Sequence, residues 1–208
     1  MPLYKTIKIN DSTTLFLWKI EESFEDLSNA VVLTDFNSIR LNTMKSESHQ
    51  KGFLSVRMLL KHCGYSDFDL FYDENGKPHL KDGKHISISH SFDFSAIAIG
   101  TQNVGIDIEQ CKEKVLRIAS RFMDIAHLEN LSHQQQIQKA TVIWGIKESI
   151  FKIKNEKGIS FPDHIFENEF QLAQNTCEAQ LQFNDASENF AIHFDIVDDY
   201  AYVCAFPK

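Results

Sequence analysis

The sequence predicts an α+β protein of two similar halves in pseudo-twofold arrangement, each an antiparallel sheet packed with helices. Three observations predict it. Apolar residues recur at helical spacing over 47–63 and again over about 132–154, and short alternating segments that read as strands follow each stretch. An alternating segment at 94–99 follows Asp93, and a similar one at 200–205 follows Asp199. The 208 residues suffice for two small halves, and no Pro/Gly-rich stretch separates them. The halves are placed at 1–103 and 104–208, docked tightly without a flexible linker. Each is expected to run helix first and then antiparallel strands.

Taken in order, 14–20 reads as a strand and the acidic 21–28 as the start of a short helix. Over 47–63, Phe53, Val56, Leu59, Leu60 and Cys63 fall on one helical side, with Gly64 as a stop. Residues 68–72 and 77–80 form a hairpin about the turn signal Asn75-Gly76. Two further strands, 85–91 and 94–99, flank a tight connection at Phe92-Asp93. Residues 104–109 form the next strand. An amphipathic helix is expected over 112–123, with Val115, Leu116, Ile118, Ala119 and Phe122 on its apolar side. A long helix from about Ser132, a good N-cap, to Lys154 follows. A meander of strands at 166–172, 178–183 and 190–197, with 200–206 returning, closes the chain.

The composition, 43% hydrophobic and 24% charged with seventeen phenylalanines, is that of an ordinary folded protein. A formal net charge of −8 argues against a general nucleic-acid binder, which needs clustered Lys and Arg. A local basic surface is compatible with it, since 45–61 and 77–84 hold Lys45, Lys51, Arg57, Lys61, Lys77, Lys81 and Lys84 with only the acids Glu47 and Asp82. The four scattered cysteines, Cys63, Cys111, Cys177 and Cys204, make neither a disulfide framework nor a zinc site. They read as reduced thiols of a cytoplasmic protein. No secretion signal is evident at the N-terminus, and no apolar run is long enough for a membrane span.

Chemistry concentrates in two segments. In Val104-Gly105-Ile106-Asp107-Ile108-Glu109 a strand's period of two points both carboxylates to one face and the isoleucines to the other. In Trp144-x-x-Lys147-Glu148-Ser149-x-x-Lys152 a helix aligns Trp144, Glu148 and Lys152 at i, i+4 and i+8. A lone Asp-x-Glu is most often a solvated strand face, and Glu148 with Lys152 alone would be a surface helix pair. Together they offer three acids with lysines beside them, a donor set for a hard divalent cation holding phosphates. Oxygen-only ligands point to Mg²⁺ or Mn²⁺. Upstream, Ser87-Ile88-Ser89-His90-Ser91 and Gly76-Lys77-Pro78 mean little by themselves, and no Walker-type phosphate loop is present.

In this order and spacing the four segments resemble the signature of the 4′-phosphopantetheinyl transferases, in the long, surfactin-synthetase-type branch. That branch looks like two copies of the shorter holo-acyl-carrier-protein synthase fused in one chain. The resemblance implies transfer of the phosphopantetheine arm of coenzyme A to a serine of an apo carrier protein, with release of adenosine 3′,5′-bisphosphate. It implies that Asp107, Glu109 and Glu148 hold Mg²⁺. Lys152 would meet the pyrophosphate, and Glu148 would help take the serine proton. Ser89 and His90 would contact the nucleotide end of coenzyme A, and Lys77 its adenine or phosphate. Lys147 is a weaker candidate for phosphate contact, and Arg57 matches a family helix arginine loosely. Departures are Ser87, where the family often has Asn, and His49-Gln50-Lys51, where its lead into the helix is richer in Arg.

The resemblance further implies a monomer, and the net charge and short apolar runs lead us to expect no nucleic-acid or membrane partner. Two other readings compete: a catalytically weak relative kept as a carrier-protein or synthase binding partner, and a Mg²⁺-dependent nuclease or phosphatase. The converging acids weigh against the first and the net charge against the second.

Overall fold

The computed structural model describes residues 3–208 and has an α+β fold. The chain divides into two compact units, Met1–Gln102 and Asn103–Lys208.

The first unit opens with two strands, β1 (Leu3–Lys8) and β2 (Thr13–Lys19). Three helices follow: α1 (Phe24–Ala30), α2 (Asp35–Thr43) and α3 (Glu47–His62). A two-stranded hairpin, β3 (Leu70–Tyr72) and β4 (Pro78–Leu80), precedes β5 (His85–Ser91) and β6 (Phe94–Gly100). The sheet order is β1-β2-β6-β5, all antiparallel. Leu54, Leu59 and Leu60 of α3 join Trp18 and Ile97 of the sheet in one core. Buried within it, the hydroxyls of Ser55 and Ser95 satisfy each other at 2.7 Å, so two polar groups are enclosed without loss of a hydrogen bond. The Gly76 turn of the β3–β4 hairpin has a left-handed backbone, φ +80°, as its Asn-Gly signal requires.

The second unit starts with β7 (Gly105–Gln110) and, after three short 3₁₀ turns, the long helix α4 (His133–Lys154). A short helix α5 (Phe161–His164) leads into β8 (Ile165–Glu167), β9 (Thr176–Phe183), β10 (Ala186–Val197) and β11 (Tyr200–Pro207). The antiparallel order is β7-β11-β10-β9-β8, which puts β7 and β8 at opposite edges. Ser132 caps α4 in a reciprocal box with Gln135, and Asn155 ends the helix in the left-handed conformation. Pairs of left-handed residues, Asn184 with Asp185 and Asp198 with Asp199, make the two tight hairpins of the meander. Ile143, Ile146 and Ile150 of α4 pack on Ile192, Phe194 and Val203 of the sheet.

Four expectations change. Both units begin on a strand and not on a helix. Neither β1 nor α2 was anticipated. Residues 112–123 hold 3₁₀ turns at Glu113–Val115 and Ala119–Arg121 where an α-helix was expected. That segment has no side-chain N-cap at Lys112 and carries β-branched Val115 and Ile118, so its helical spacing does not propagate. Finally, of 166–172 only the first residues pair, as part of β8, before a 3₁₀ turn at Leu172–Gln174.

Candidate active site

The alternation of β7 sets the site. Asp107 is opposite Val203 and Glu109 opposite Ala201 on β11, and both partners belong to the core beneath α4. The two carboxylates therefore project on the helix-bearing face. The helix comes unusually close because two glycines permit it. A Cβ on Gly105 would lie 1.9 Å from the Ser149 carbonyl oxygen, and one on Gly145 would lie 2.5 Å from Val203 Cγ2. Ser149 Oγ uses that proximity to donate to the Val203 carbonyl at 2.9 Å.

On this close contact Lys152 Nζ donates to Asp107 Oδ1 at 2.8 Å and to the Ile106 carbonyl at 2.9 Å. Asp107 is almost fully buried, so the ammonium offsets a charge that water scarcely reaches. Glu148, one turn earlier, is partly buried. Burial and then the charge of Asp107 raise its carboxyl to about 7; Lys152 opposes the rise and Glu109 adds to it. Glu148 thus lies within electrostatic reach of both β7 acids. Trp144 wedges between Phe122 and Phe161, ring centroids 5.1 and 5.5 Å away, and anchors the preceding turn of α4.

The donor chemistry suits a hard divalent cation: oxygen ligands only, with burial and then the neighbouring acids leaving Glu148 reluctant to ionise. Among the described residues no three His, Cys, Asp or Glu side chains are grouped closely enough to hold a metal ion as they stand. Lys152 supplies the positive charge beside Asp107 instead.

In the first unit Ser89 is buried on β5, while the adjacent His90 is exposed on the other face. The imidazole lies directly over α3: a Cβ at Gly52 would sit 3.0 Å from His90 Nδ1. His49, three residues earlier on α3, has its ring centroid 6.3 Å from that of His90. Lys77 follows the hairpin turn, its backbone N–H held by Asp73 Oδ1 at 2.9 Å. The nearness of His49 to His90 was not foreseen. Its signal was a glycine in the interior of a helix, three residues after a histidine and with no turn to explain it.

Two expectations need correction. Lys147 does not face phosphate. It is 2% exposed and donates to the Ile165 carbonyl and to Glu167, because one residue's step around α4 turns it away from Glu148. Burial lowers its pKa, and the charge of Glu167 opposes that. Arg57 is also internal. Its Nε donates to Asp67 at 2.9 Å, its Nη1 donates to the Phe53 carbonyl, and its guanidinium stacks on the Phe53 ring. The carboxylate of Asp67 also accepts from Thr34 and Asn37, so Arg57 serves to join α2, α3 and the 67–69 turn.

An acidic strand edge meeting an acid and a lysine on a crossing helix has the oxygen donors that a hard divalent cation takes, with one positive charge beside them. Comparison with known proteins makes this specific. The model of the 4′-phosphopantetheinyl transferase superfamily matches residues 103–206, and the chain belongs to that family. Its relatives include 4′-phosphopantetheinyl transferase gsp of Aneurinibacillus migulanus, 30% identical over 58% of this chain and 50% of that protein. Sfp of Bacillus subtilis is 34% identical over 47% of this chain and 45% of that protein. Psf-1 of Bacillus pumilus is 37% identical over 42% and 39%. The chain thus spans about half the length of the curated relatives it matches.

Proposed function

We propose that this protein transfers the 4′-phosphopantetheine group of coenzyme A to a serine of an apo carrier protein, giving holo carrier protein and adenosine 3′,5′-bisphosphate. The observation that carries the reading is the meeting of Asp107 and Glu109 on β7 with Glu148 and Lys152 on α4. The names of the relatives support it.

In this reading Asp107, Glu109 and Glu148 hold Mg²⁺, or Mn²⁺, which when bound neutralises charge on the pyrophosphate. Lys152 adds a second positive charge at the same place, so the leaving phosphate departs into a site already balanced for it. Ser89, His90 and Lys77 bind the nucleotide end of coenzyme A. The serine oxygen of the carrier protein forms the new bond to phosphorus as the bond to the bisphosphate leaving group breaks. Glu148 accepts the serine proton. The enzyme acts as a monomer in the cytoplasm, on coenzyme A and a carrier protein alone, without nucleic acid or membrane. Among the described residues no helix is long and apolar enough to cross a membrane.

The test is mass spectrometry of apo carrier proteins of fatty-acid, polyketide, peptide-synthetase and lysine-pathway type incubated with the enzyme, coenzyme A and Mg²⁺. At least one should gain the mass of the phosphopantetheine arm, lose the gain with a chelator and recover it with excess Mg²⁺ or Mn²⁺. No gain on any of them would overturn the reading.

A further inference from the structure

Helix α4 carries the catalytic acid, and its apolar stripe, Ile143, Ile146, Ile150 and Ile153, seats it on the sheet. Twelve of its 22 residues are buried, and between Lys139 and Ile153 they lie on nearly every side of the helix. Three lysines add directional bonds to that seating. Lys139 reaches the Phe170 carbonyl at 2.7 Å, Lys147 the Ile165 carbonyl and Glu167, and Lys152 the Ile106 carbonyl and Asp107. Lys147 and Lys152 are five residues apart, about 140° around the axis. They reach opposite edges of the sheet, β8 and β7.

Lys152 belongs to the site, but Lys147 and Glu167 touch none of its residues. Both side chains are nearly inaccessible, and His127 closes the far side of Glu167, its Nε2 3.7 Å from Oε1. An internal ion pair is a poor source of net stability, because desolvating both charges costs about what their attraction returns. Its geometric specificity is another matter: the ammonium must meet one carbonyl and one carboxylate at once.

We infer that Lys147 and Glu167 are positioning residues, which lock the rotation of α4 so that Glu148, the next residue, is presented to Asp107 and Glu109. This rests on the function proposed above and deepens it, assigning the transfer reaction two groups that contact neither substrate nor cation.

The test uses the full chain. Glu167→Gln keeps the shape and removes the charge. The double variant Lys147→Met with Glu167→Leu removes both charges, so neither is left buried and unpaired, and circular dichroism checks its fold. Transfer kinetics are measured with both, and Trp144 emission is read in a Trp18→Phe background, where Trp144 is the remaining tryptophan. The expected result for the stably folded double variant is kcat lower by about tenfold or more with KM for coenzyme A unchanged. A shift in Trp144 emission should accompany it, since Trp144 lies one turn before Glu148 on the same helix.

Wild-type kcat and wild-type emission in that variant would overturn the inference and leave the pair a purely structural contact. A raised KM for coenzyme A with kcat intact would also overturn it, by placing Lys147 on the substrate phosphates. If the unmodified chain transfers nothing, the function proposed above fails, and the emission shift still decides whether the pair sets the helix.

Discussion

Glu148 has a carboxyl raised to about 7 by burial and by its two acidic neighbours, and that has a measurable cost in chelator-treated protein. Below about pH 4.5, its ordinary value, the group is protonated in both the folded and the unfolded chain and costs nothing. As pH rises towards 7 the unfolded chain ionises first, so folding loses stability, and the loss is complete above the folded value. Glu148→Gln should therefore melt higher than wild type at pH 8, by about 1–2 kcal/mol after solvent screening, and no higher at pH 4. Thermal melts across that range check it, and an equal gain at both ends would refute the assigned cause. For transfer, Asp107→Ala, Glu109→Ala and Glu148→Ala should each abolish carrier-protein modification with the fold intact by circular dichroism. Wild-type rates at limiting Mg²⁺ in Asp107→Ala would remove these acids from the catalytic centre. The acids were legible in the sequence because a strand's period of two leaves no freedom: Asp107 and Glu109 had to share a face. The orientation of Lys147 was not legible, since a helix buried on nearly every side hides which flank meets which strand.

At the scale of elements, α4 was readable nearly to the residue. Ser132 and Gln135 form its capping box, and its end at Lys154 is marked by a left-handed Asn155. By contrast α2 contains Asn, Ser and Thr, poor helix formers, and buries only Asn37 and Leu41. It is held by bonds from Thr34 and Asn37 to Asp67, some thirty residues away, a tertiary cause that local spacing does not record. Likewise β1 is mostly exposed and does not alternate cleanly; its strand state comes from the ladder with β2. The docking of α4 on β7 depends on missing side chains, which spacing rules also overlook. Gly105→Ala would drive a methyl group into the Ser149 carbonyl, and the backbone must part to admit it. The expected cost is at least about 3 kcal/mol in urea denaturation, at the upper end for overpacking. A loss under 1 kcal/mol would mean the helix and strand are not in backbone contact.

Across the molecule, each unit encloses its own hydrophobic core, and each unit carries one of the two tryptophans. Trp18 lies in the first core, and Trp144 packs against the second. Leu54 is fully buried in the first, so Leu54→Ala should destabilise that unit by about 2–5 kcal/mol. Single-tryptophan versions should show the Trp18 transition moving to lower denaturant by more than the Trp144 transition does. Equal shifts would show instead that the chain unfolds as one cooperative body. The presence of two cores was legible from two helical stretches, each with its own strands. Their strand-first order was not, because β1 lacks a pattern of its own.

The glycines under α4 also act as a ruler. Asp107 and Glu148 are mounted on elements already in backbone contact, with the Asp107 carboxylate 3.8 Å from where a Cβ on Gly145 would stand. Such a mounting has no slack with which to step back. Ca²⁺ takes longer bonds and more oxygens than Mg²⁺, so it would need the helix to retreat from the strand. Discrimination between ions would then follow from packing, with no ligand dedicated to it. Melting temperature should rise at lower concentrations of Mg²⁺ or Mn²⁺ than of Ca²⁺, and a stronger response to Ca²⁺ would show that the gap between the acids yields.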